Sequence, residues 1–333
     1  MDYSLEINLK DRSRYENIVR SIVEYGSSVK DAIFENLPNE LITPYQRIRE
    51  IYNQEIIRGK GKLDTNSVVQ QYMNVPGAEE LVRYLLLATV LLTGFKNLRN
   101  ELIYRVMARN YDHIINLIKS PSYGIINNVS NVLLKGYVSE GIKGEDIGEV
   151  SNAIHSFTYG LRKLVNARKT TLLRWVSKFR DIENFERELV LFYPTRANER
   201  RRRAIKTFIR WVSHETNLPI ALEIMRRGAY RRYAMAADIY STMVTIRSGA
   251  FLTLRDDRII KIINKIMINR ETGTTVRIDE VKGLVRSIGR ISNDPIIYER
   301  GAFKIGHDYC SKLKCNECPI NRVCMKFTWV RIK

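Results

Sequence analysis

The residues best suited to chemistry in this sequence are its four cysteines, which follow the spacing C-x4-C-x2-C-x5-C at Cys310, Cys315, Cys318 and Cys324. Four thiolates this close together are the ligand set of an iron–sulfur cluster, and zinc accepts the same ligands in a tetrahedral array. Zinc sites usually pair two C-x2-C knuckles across about a dozen or more residues, whereas one such knuckle is present here. The spacing therefore favours an iron–sulfur cluster, with zinc as the alternative and paired disulfides as a third interpretation.

A large positive charge narrows the choice of partner. The chain has 55 Lys and Arg residues against 36 Asp and Glu residues, which gives a net charge of +19 and a pI of about 9.8. An excess of this size favours a polyanionic partner, because neutralising phosphates releases condensed counterions. A basic protein whose charge has no binding role is the alternative interpretation.

Apolar runs in the chain are short. The run YLLLATVLLT at residues 84–93 is about ten residues long, which suits a buried helix and is too short to span a bilayer. The first residues, Met1-Asp2-Tyr3, show no secretory signal pattern. We therefore expect a cytoplasmic, nucleoid-associated monomer with no membrane partner.

Helical periodicity dominates the sequence and predicts an all-α protein of about a dozen or more helices. Apolar residues recur at three- and four-residue spacing, and no segment shows sustained alternation of a strand. The predicted helical segments are 79–119, 161–180, 200–215, 219–247, 257–268 and 278–290. A glycine-rich acidic stretch at 136–150 suggests a division into three parts: a helical region 1–150 of unassigned role, a helical core 151–305 with a basic face, and a cysteine loop 306–333.

One group of basic side chains is a candidate for phosphate contacts. It consists of Arg200, Arg201, Arg202, Arg203 and Arg210. Four consecutive arginines on a helix cover every face, so some of them must point away from the core. A solvated basic face is the alternative, because charge runs often have no binding role.

The cysteine loop and the residues before it resemble the endonuclease III and adenine-glycosylase branch of the helix-hairpin-helix DNA glycosylase superfamily. That branch has C-x6-C-x2-C-x5-C, and here the first spacing is four instead of six. The approach to the loop, from Asp294-Pro295 to His307-Asp308-Tyr309-Cys310, is also similar. The resemblance implies a two-lobed helical fold, a [4Fe–4S] cluster, and basic loop residues that contact phosphate: Lys312, Lys314 and Arg322.

A second block of the resemblance implies a catalytic carboxylate at Asp256. The segment 254–262, LRDDRIIKI, is similar to the family's L-x-D-x-x-V-x-R block, in which an aspartate opens a helix at the base-binding pocket. A carboxylate held by backbone N–H groups stays ionised and can stabilise an oxocarbenium-like sugar. A purely structural cap is the alternative for Asp256, and Asp257 is the rival for the catalytic role.

A third block implies a nucleophile at Lys206. The segment 203–211, RAIKTFIRW, resembles the helix that carries the Schiff-base lysine in bifunctional members of the superfamily. Such an amine attacks the anomeric carbon of the sugar and then promotes strand cleavage. An exposed lysine in a basic patch is the alternative.

The function that these resemblances imply is excision of a damaged base from double-stranded DNA by base flipping, with AP-lyase activity if Lys206 is the nucleophile. Two other functions stay open at this point. The first is a non-catalytic iron–sulfur protein that binds nucleic acid. The second is an iron–sulfur-stapled nuclease, which would need an acidic metal-binding cluster that the sequence does not indicate.

Overall fold

The computed structural model describes residues 12–59, 63–95, 100–141, 146–195, 198–235, 237–254 and 258–333. Helices hold 73% of the residues and strands hold 2%, which confirms the predicted all-α class. The chain divides into two compact units. The first unit combines Met1–Lys30 with Arg231–Lys333, and the second contains Asp31–Tyr230.

The described residues form seventeen α-helices and two short strands. In chain order these are α1 (Arg12–Ser28), α2 (Ala32–Glu35), α3 (Asn39–Arg58), α4 (Thr65–Met73), α5 (Ala78–Gly94), α6 (Asn100–Arg109), α7 (Tyr111–Lys119), α8 (Ile126–Ser139), α9 (Ile147–Arg168), α10 (Leu172–Ser177), α11 (Ile182–Leu189), α12 (Asn198–Val212), α13 (Leu222–Arg226), α14 (Ile239–Arg247), α15 (Arg258–Ile268), β1 (Thr274–Val276), α16 (Ile278–Ile291), α17 (Pro295–Asp308) and β2 (Val330–Ile332). The boundaries predicted at residues 150 and 305 lie inside α9 and α17.

Aspartates begin several of these helices. The side chains of Asp64, Asp146, Asp181 and Asp294 each accept backbone N–H groups in the first turn of the helix that follows. These N–H groups have no partner inside the helix, so a short acidic side chain at this position stabilises the helix start. Pro295 follows Asp294 at a position where the missing N–H costs nothing.

The predicted helix over residues 219–247 is wrong. The structure has α13 and α14 in this segment, and α13 ends at Arg226. Gly228 lies at φ +62°, a left-handed conformation that does not continue an α-helix. Apolar spacing carried the prediction across this break, because buried apolar residues occur before it at Leu222 and Ile224 and after it at Tyr233 and Met235.

The first unit is organised around a close contact between α1 and α17. A Cβ atom added at Gly26 would overlap the carbonyl of Ile297, and one added at Gly301 would overlap the carbonyl of Ile22. Both positions therefore need glycine for the two backbones to approach each other. The buried Arg300 side chain donates to the carbonyls of Gly26 (3.3 Å) and Val29 (3.2 Å) at the end of α1.

Two short strands fix the end of the chain to the first unit. The parallel strands β1 and β2 pair Thr274 with Val330 and Val276 with Ile332. The indole N–H of Trp329 also donates to the carbonyl of Ile266 in α15 (3.0 Å). The chain after the cysteines is therefore held in place along its length.

The second unit is organised around α5, which is buried from Leu81 to Gly94. The segment predicted to be a buried helix is thus confirmed. Glu79 in its first turn accepts the N–H groups of Leu172 (2.8 Å) and Leu173 (2.9 Å) at the start of α10. Arg83 donates to the carbonyl of Ile118 at the end of α7 (2.9 Å). Charged residues at one end of α5 therefore satisfy the backbone groups of two neighbouring helices.

Within the described residues, no helix combines the length and the apolar character needed to cross a bilayer.

The close contact of α1 and α17 generates a stability prediction. Gly301→Ala should lower the free energy of unfolding by about 1–3 kcal/mol, because the added methyl group overpacks a backbone contact. Gly124→Ala is the control, since its nearest neighbour, the Ser122 hydroxyl, lies 3.8 Å from the added Cβ. Urea unfolding of both variants checks this, and an unchanged midpoint for Gly301→Ala would contradict the described packing.

Candidate functional site

All four cysteines line one cavity in the first unit. Cys310 begins a 3₁₀ turn directly after α17, and Cys315 begins a second one. Val244 and Ser248 of α14 line the same cavity. None of the four cysteines is in a disulfide, so the disulfide interpretation has no support.

Backbone hydrogen bonds seat this cysteine loop on the end of α14. The N–H of Met325 donates to the carbonyl of Ser248 (3.0 Å), and the N–H of Phe327 donates to the carbonyl of Arg247 (2.9 Å). The last carbonyls of a helix have no partner inside it, so the residues after the last cysteine supply the missing donors. Gly249, at φ +85°, turns the chain away and leaves these carbonyls accessible.

The Arg247 side chain connects the same helix to the loop. Its Nε donates to the carbonyl of Val330 in β2 (2.7 Å), and its Nη1 donates to the carbonyl of Cys310 (2.8 Å). The same Nη1 lies 3.8 Å from the Cys310 sulfur. Because Arg247 is buried, its positive charge acts on the thiol with little screening by water.

Three of the four sulfurs have N–H donors. The backbone N–H of Lys326 donates to the Cys324 sulfur (3.3 Å), and the backbone of Ile320 donates to Cys318. With the Arg247 contact, these donors favour the thiolate form and resemble those that tune metal-bound thiolates. Among the described residues, no group of three or more His, Cys, Asp or Glu side chains is positioned so that it could hold a metal ion. The fit to a metal therefore rests on the shared cavity and on the N–H donors.

Burial acts against ionisation of three of the four thiols, those of Cys310, Cys318 and Cys324, when no metal is bound. It raises the pKa of Cys324 to about 12, and it also raises the pKa values of Cys310 and Cys318. The nearby Arg247 charge opposes this increase at Cys310. The buried thiols are consequently neutral near pH 7, and binding of iron or zinc would release their protons.

The basic residues predicted on the cysteine loop are at its surface. Lys312, Lys314 and Arg322 are all exposed. Lys314 forms an ion pair with Glu317 (3.3 Å). Their role as phosphate contacts stays a prediction.

The predicted catalytic residue Asp256 and its rival Asp257 lie outside the described residues. Asp238 is a described aspartate that begins a helix, as was predicted for Asp256. It caps α14: its Oδ1 accepts the N–H groups of Tyr240 (2.7 Å) and Ser241 (2.9 Å), and its Oδ2 accepts the Ser241 hydroxyl (2.8 Å). Both oxygens are therefore fixed in direction, and the side chain is half-buried.

Sequence reasoning missed Asp238 because one helix was predicted across residues 219–247. The available signal was local. An aspartate just before the apolar residues of α14 is a typical helix start. The cap Asp294 also begins a helix that leads into the cysteine loop, since α17 ends just before Cys310.

Lys206 is buried in α12, with an exposed fraction of 7%. This excludes the interpretation of Lys206 as an exposed surface lysine. Its predicted role as a nucleophile stays a prediction.

The arginines of α12 have different surroundings. Arg210 forms an ion pair with the buried Asp31 (2.8 Å), so its charge is used inside the second unit. Arg202 is exposed, Arg200 pairs with Glu149 (3.5 Å), and Arg203 pairs with Glu199 (3.5 Å). Arg201 donates to the carbonyl of Thr195 (3.3 Å). Phosphate contacts by Arg200, Arg201, Arg202 and Arg203 stay a prediction, and Arg210 is the member whose charge is already paired with a buried carboxylate.

Comparison with known proteins does not identify a family for this chain. No family model matches the sequence, and neither a curated protein nor a solved structure matches it. Any functional conclusion must therefore rest on the site itself.

The shared cavity generates a prediction about metal content. Protein purified without oxygen should be brown, with broad absorbance near ~400 nm and about four irons per chain, because four thiolates face one cavity. Cys318→Ser should lose iron and colour. Asn316→Ser, an exposed change in the same loop, is the control and should keep both. Colourless protein with one zinc per chain would contradict the cluster.

Proposed function

We propose that this protein is a DNA glycosylase that excises a damaged base from double-stranded DNA by base flipping, with a [4Fe–4S] cluster held by its four cysteines. The observation that carries the proposal is the construction of α14. This helix has a clamped carboxylate, Asp238, at its first turn and the cysteine loop at its last turn. The sequence resemblance implies the same two features: an iron–sulfur cluster in the cysteine loop and a fixed carboxylate at the start of a helix.

The chemistry assigned to Asp238 is electrostatic. Cleavage of the bond between base and sugar develops positive charge on the sugar, and an ionised carboxylate fixed nearby stabilises that charge. Backbone N–H groups and the Ser241 hydroxyl hold both carboxylate oxygens. A carboxylate that is already oriented does not need to reorganise as the charge develops. Asp256 stays the alternative position for this role.

The cluster would act as a structural cross-link that holds the cysteine loop against α14. Exposed Lys312 and Arg322 on the loop are available for phosphate contacts. The net charge of +19 supports a polyanionic partner. Flipping a damaged nucleotide out of the duplex costs a few kcal/mol, and backbone contacts of this kind offset that cost.

A bifunctional enzyme needs an amine nucleophile in addition to the carboxylate. The sequence resemblance assigns this role to Lys206. A lysine that attacks the sugar forms a Schiff base, which then promotes cleavage of the strand. A monofunctional enzyme would use water instead and would leave the strand intact.

The role of the carboxylate can be tested by three matched substitutions. Asp238→Asn should slow base release by about 10²–10³-fold, because it removes a charge that stabilises the transition state. Folding and DNA affinity should be retained, since asparagine caps a helix as well as aspartate does. Asp64→Asn, which caps α4 in the second unit, is the control and should keep full activity. Single-turnover assays on a lesion-bearing duplex measure all three variants.

Asp256→Asn completes this comparison. A loss of base release in this variant, together with full activity in Asp238→Asn, would transfer the catalytic role to Asp256. If the wild type binds duplex DNA but releases no base from any lesion, the glycosylase proposal fails and a nucleic-acid-binding protein is the function that remains.

The nucleophile can be tested by borohydride reduction during the reaction with damaged DNA. A covalent protein–DNA adduct should form, and mass spectrometry should locate it on Lys206, because reduction traps the Schiff base. The adduct should be absent in Lys206→Gln and retained in Lys135→Gln, an exposed lysine on α8. Base release without an adduct would mean that the enzyme is monofunctional and uses water.

A further inference from the structure

A second concentration of positive charge lies outside the residues considered so far. Residues 161–180 contain seven basic residues and no Asp or Glu. We call these seven the α9–α10 surface, since they lie in the last turns of α9, in α10 and in the residues beside it. They are Arg162, Lys163, Arg168, Lys169, Arg174, Lys178 and Arg180, and all are exposed.

Most of this charge is not neutralised by the protein. Within the described part of the chain, Arg168 is the member that forms an ion pair, with Glu188 (2.7 Å). The Arg162 and Lys163 cations lie over the rings of Tyr123 (5.4 Å) and Tyr159 (5.9 Å). The four other members form no ion pair with a described residue. They are Lys169, Arg174, Lys178 and Arg180. By contrast, Glu223 binds both Arg226 and Arg227 elsewhere in this unit.

The backbone that carries these cations is rigid. Trp175 and Phe179 are buried beneath them, with ring centroids 4.7 Å apart, and Phe179 stacks on Phe185 (4.6 Å). A cavity of about 410 Å³ lies here, lined by Arg168, Lys178 and Arg180 and also by the carboxylates Asp181 and Glu188. Three of the seven cations are therefore held beside a concave feature, where Glu188 pairs with Arg168, and exposed cations of this kind suit a phosphate backbone.

The surface does not have the chemistry of a membrane anchor. Membrane-surface helices expose bulky apolar side chains that enter the lipid. Here Leu161, Leu164, Leu172 and Leu173 are all buried in the second unit, and Val165 is the exposed aliphatic side chain within residues 161–180. The exposed face is basic and largely polar, so a nucleic-acid backbone fits it better than an anionic bilayer does.

We propose that the α9–α10 surface is a second phosphate-binding surface, which contacts the backbone of duplex DNA in addition to the arginines of α12 and the cysteine loop. This inference rests on the DNA binding in the proposed function but not on base release. A second surface would add to the salt dependence of binding.

Two triple variants with the same change in net charge test this inference. Lys169→Gln/Arg174→Gln/Lys178→Gln removes three unpaired members of the surface. Arg47→Gln/Arg58→Gln/Lys282→Gln is the control, because it removes three exposed cations that are paired with Glu50, Glu55 and Asp279. Fluorescence anisotropy with an undamaged duplex, across a range of salt concentrations, measures affinity and its log–log salt slope. Melting curves of all proteins verify folding.

The surface triple should lower the magnitude of the salt slope by about 2–3 and weaken binding roughly 100-fold near 0.1 M salt, since each lost phosphate contact contributes about 0.9 to the slope. The control triple should stay close to the wild type. A wild-type slope in the surface triple, or an equal change in both triples, would overturn the inference. The inference would also be overturned if the surface triple lost binding to anionic vesicles while its DNA binding stayed unchanged.

These results separate the inference from the proposed function. A reduced slope in the surface triple supports the inference even if the wild type releases no base. If the wild type releases a base and the surface triple binds DNA as the wild type does, the glycosylase proposal is supported and the second phosphate-binding surface is rejected. A wild type that binds no duplex would reject both.

Discussion

The buried guanidinium of Arg247 is the interaction on which the candidate site depends most. It donates to the carbonyls of Cys310 and Val330 and thereby joins α14, the cysteine loop and β2. A buried charge is costly unless an opposite charge or a metal site compensates it. Among the described residues, no carboxylate pairs with Arg247, whereas a cysteine sulfur lies 3.8 Å from it. Thiolates bound to a cluster would supply the compensating negative charge.

Helix α14 connects the cysteine loop, which Arg247 holds at one end, to the Asp238 carboxylate at the other end. Its nine residues span about 13 Å at ~1.5 Å per residue, so the cap at Asp238 and the cysteine loop are fixed to one short rigid element. A hydrogen bond between the Tyr298 hydroxyl of α17 and the Thr245 hydroxyl of α14 (3.0 Å) also holds this helix in place. Loss of the cluster would therefore be expected to loosen the position of Asp238 as well as the loop.

Periodicity and composition predict much of the fold and part of the site. Apolar residues predict the helix at residues 84–93, which is buried on all sides, and the helix at 278–290, which buries one face. The gathering of four cysteines around one cavity follows their closeness in sequence. The break at Gly228, the burial of Lys206 and the cap at Asp238 were not predicted, because they depend on tertiary packing that spacing does not encode. The short parallel strands were missed for the same reason, since each pairs with a distant segment.

Detection of the released base is the most direct test of the proposal that this protein is an iron–sulfur glycosylase. Wild-type protein with its full iron content would be incubated with a panel of duplexes that each carry one damaged base, and free bases would be identified by mass spectrometry. The account predicts that at least one damaged base is released while undamaged bases stay in place. Tight binding to these duplexes with no released base from any of them would contradict it.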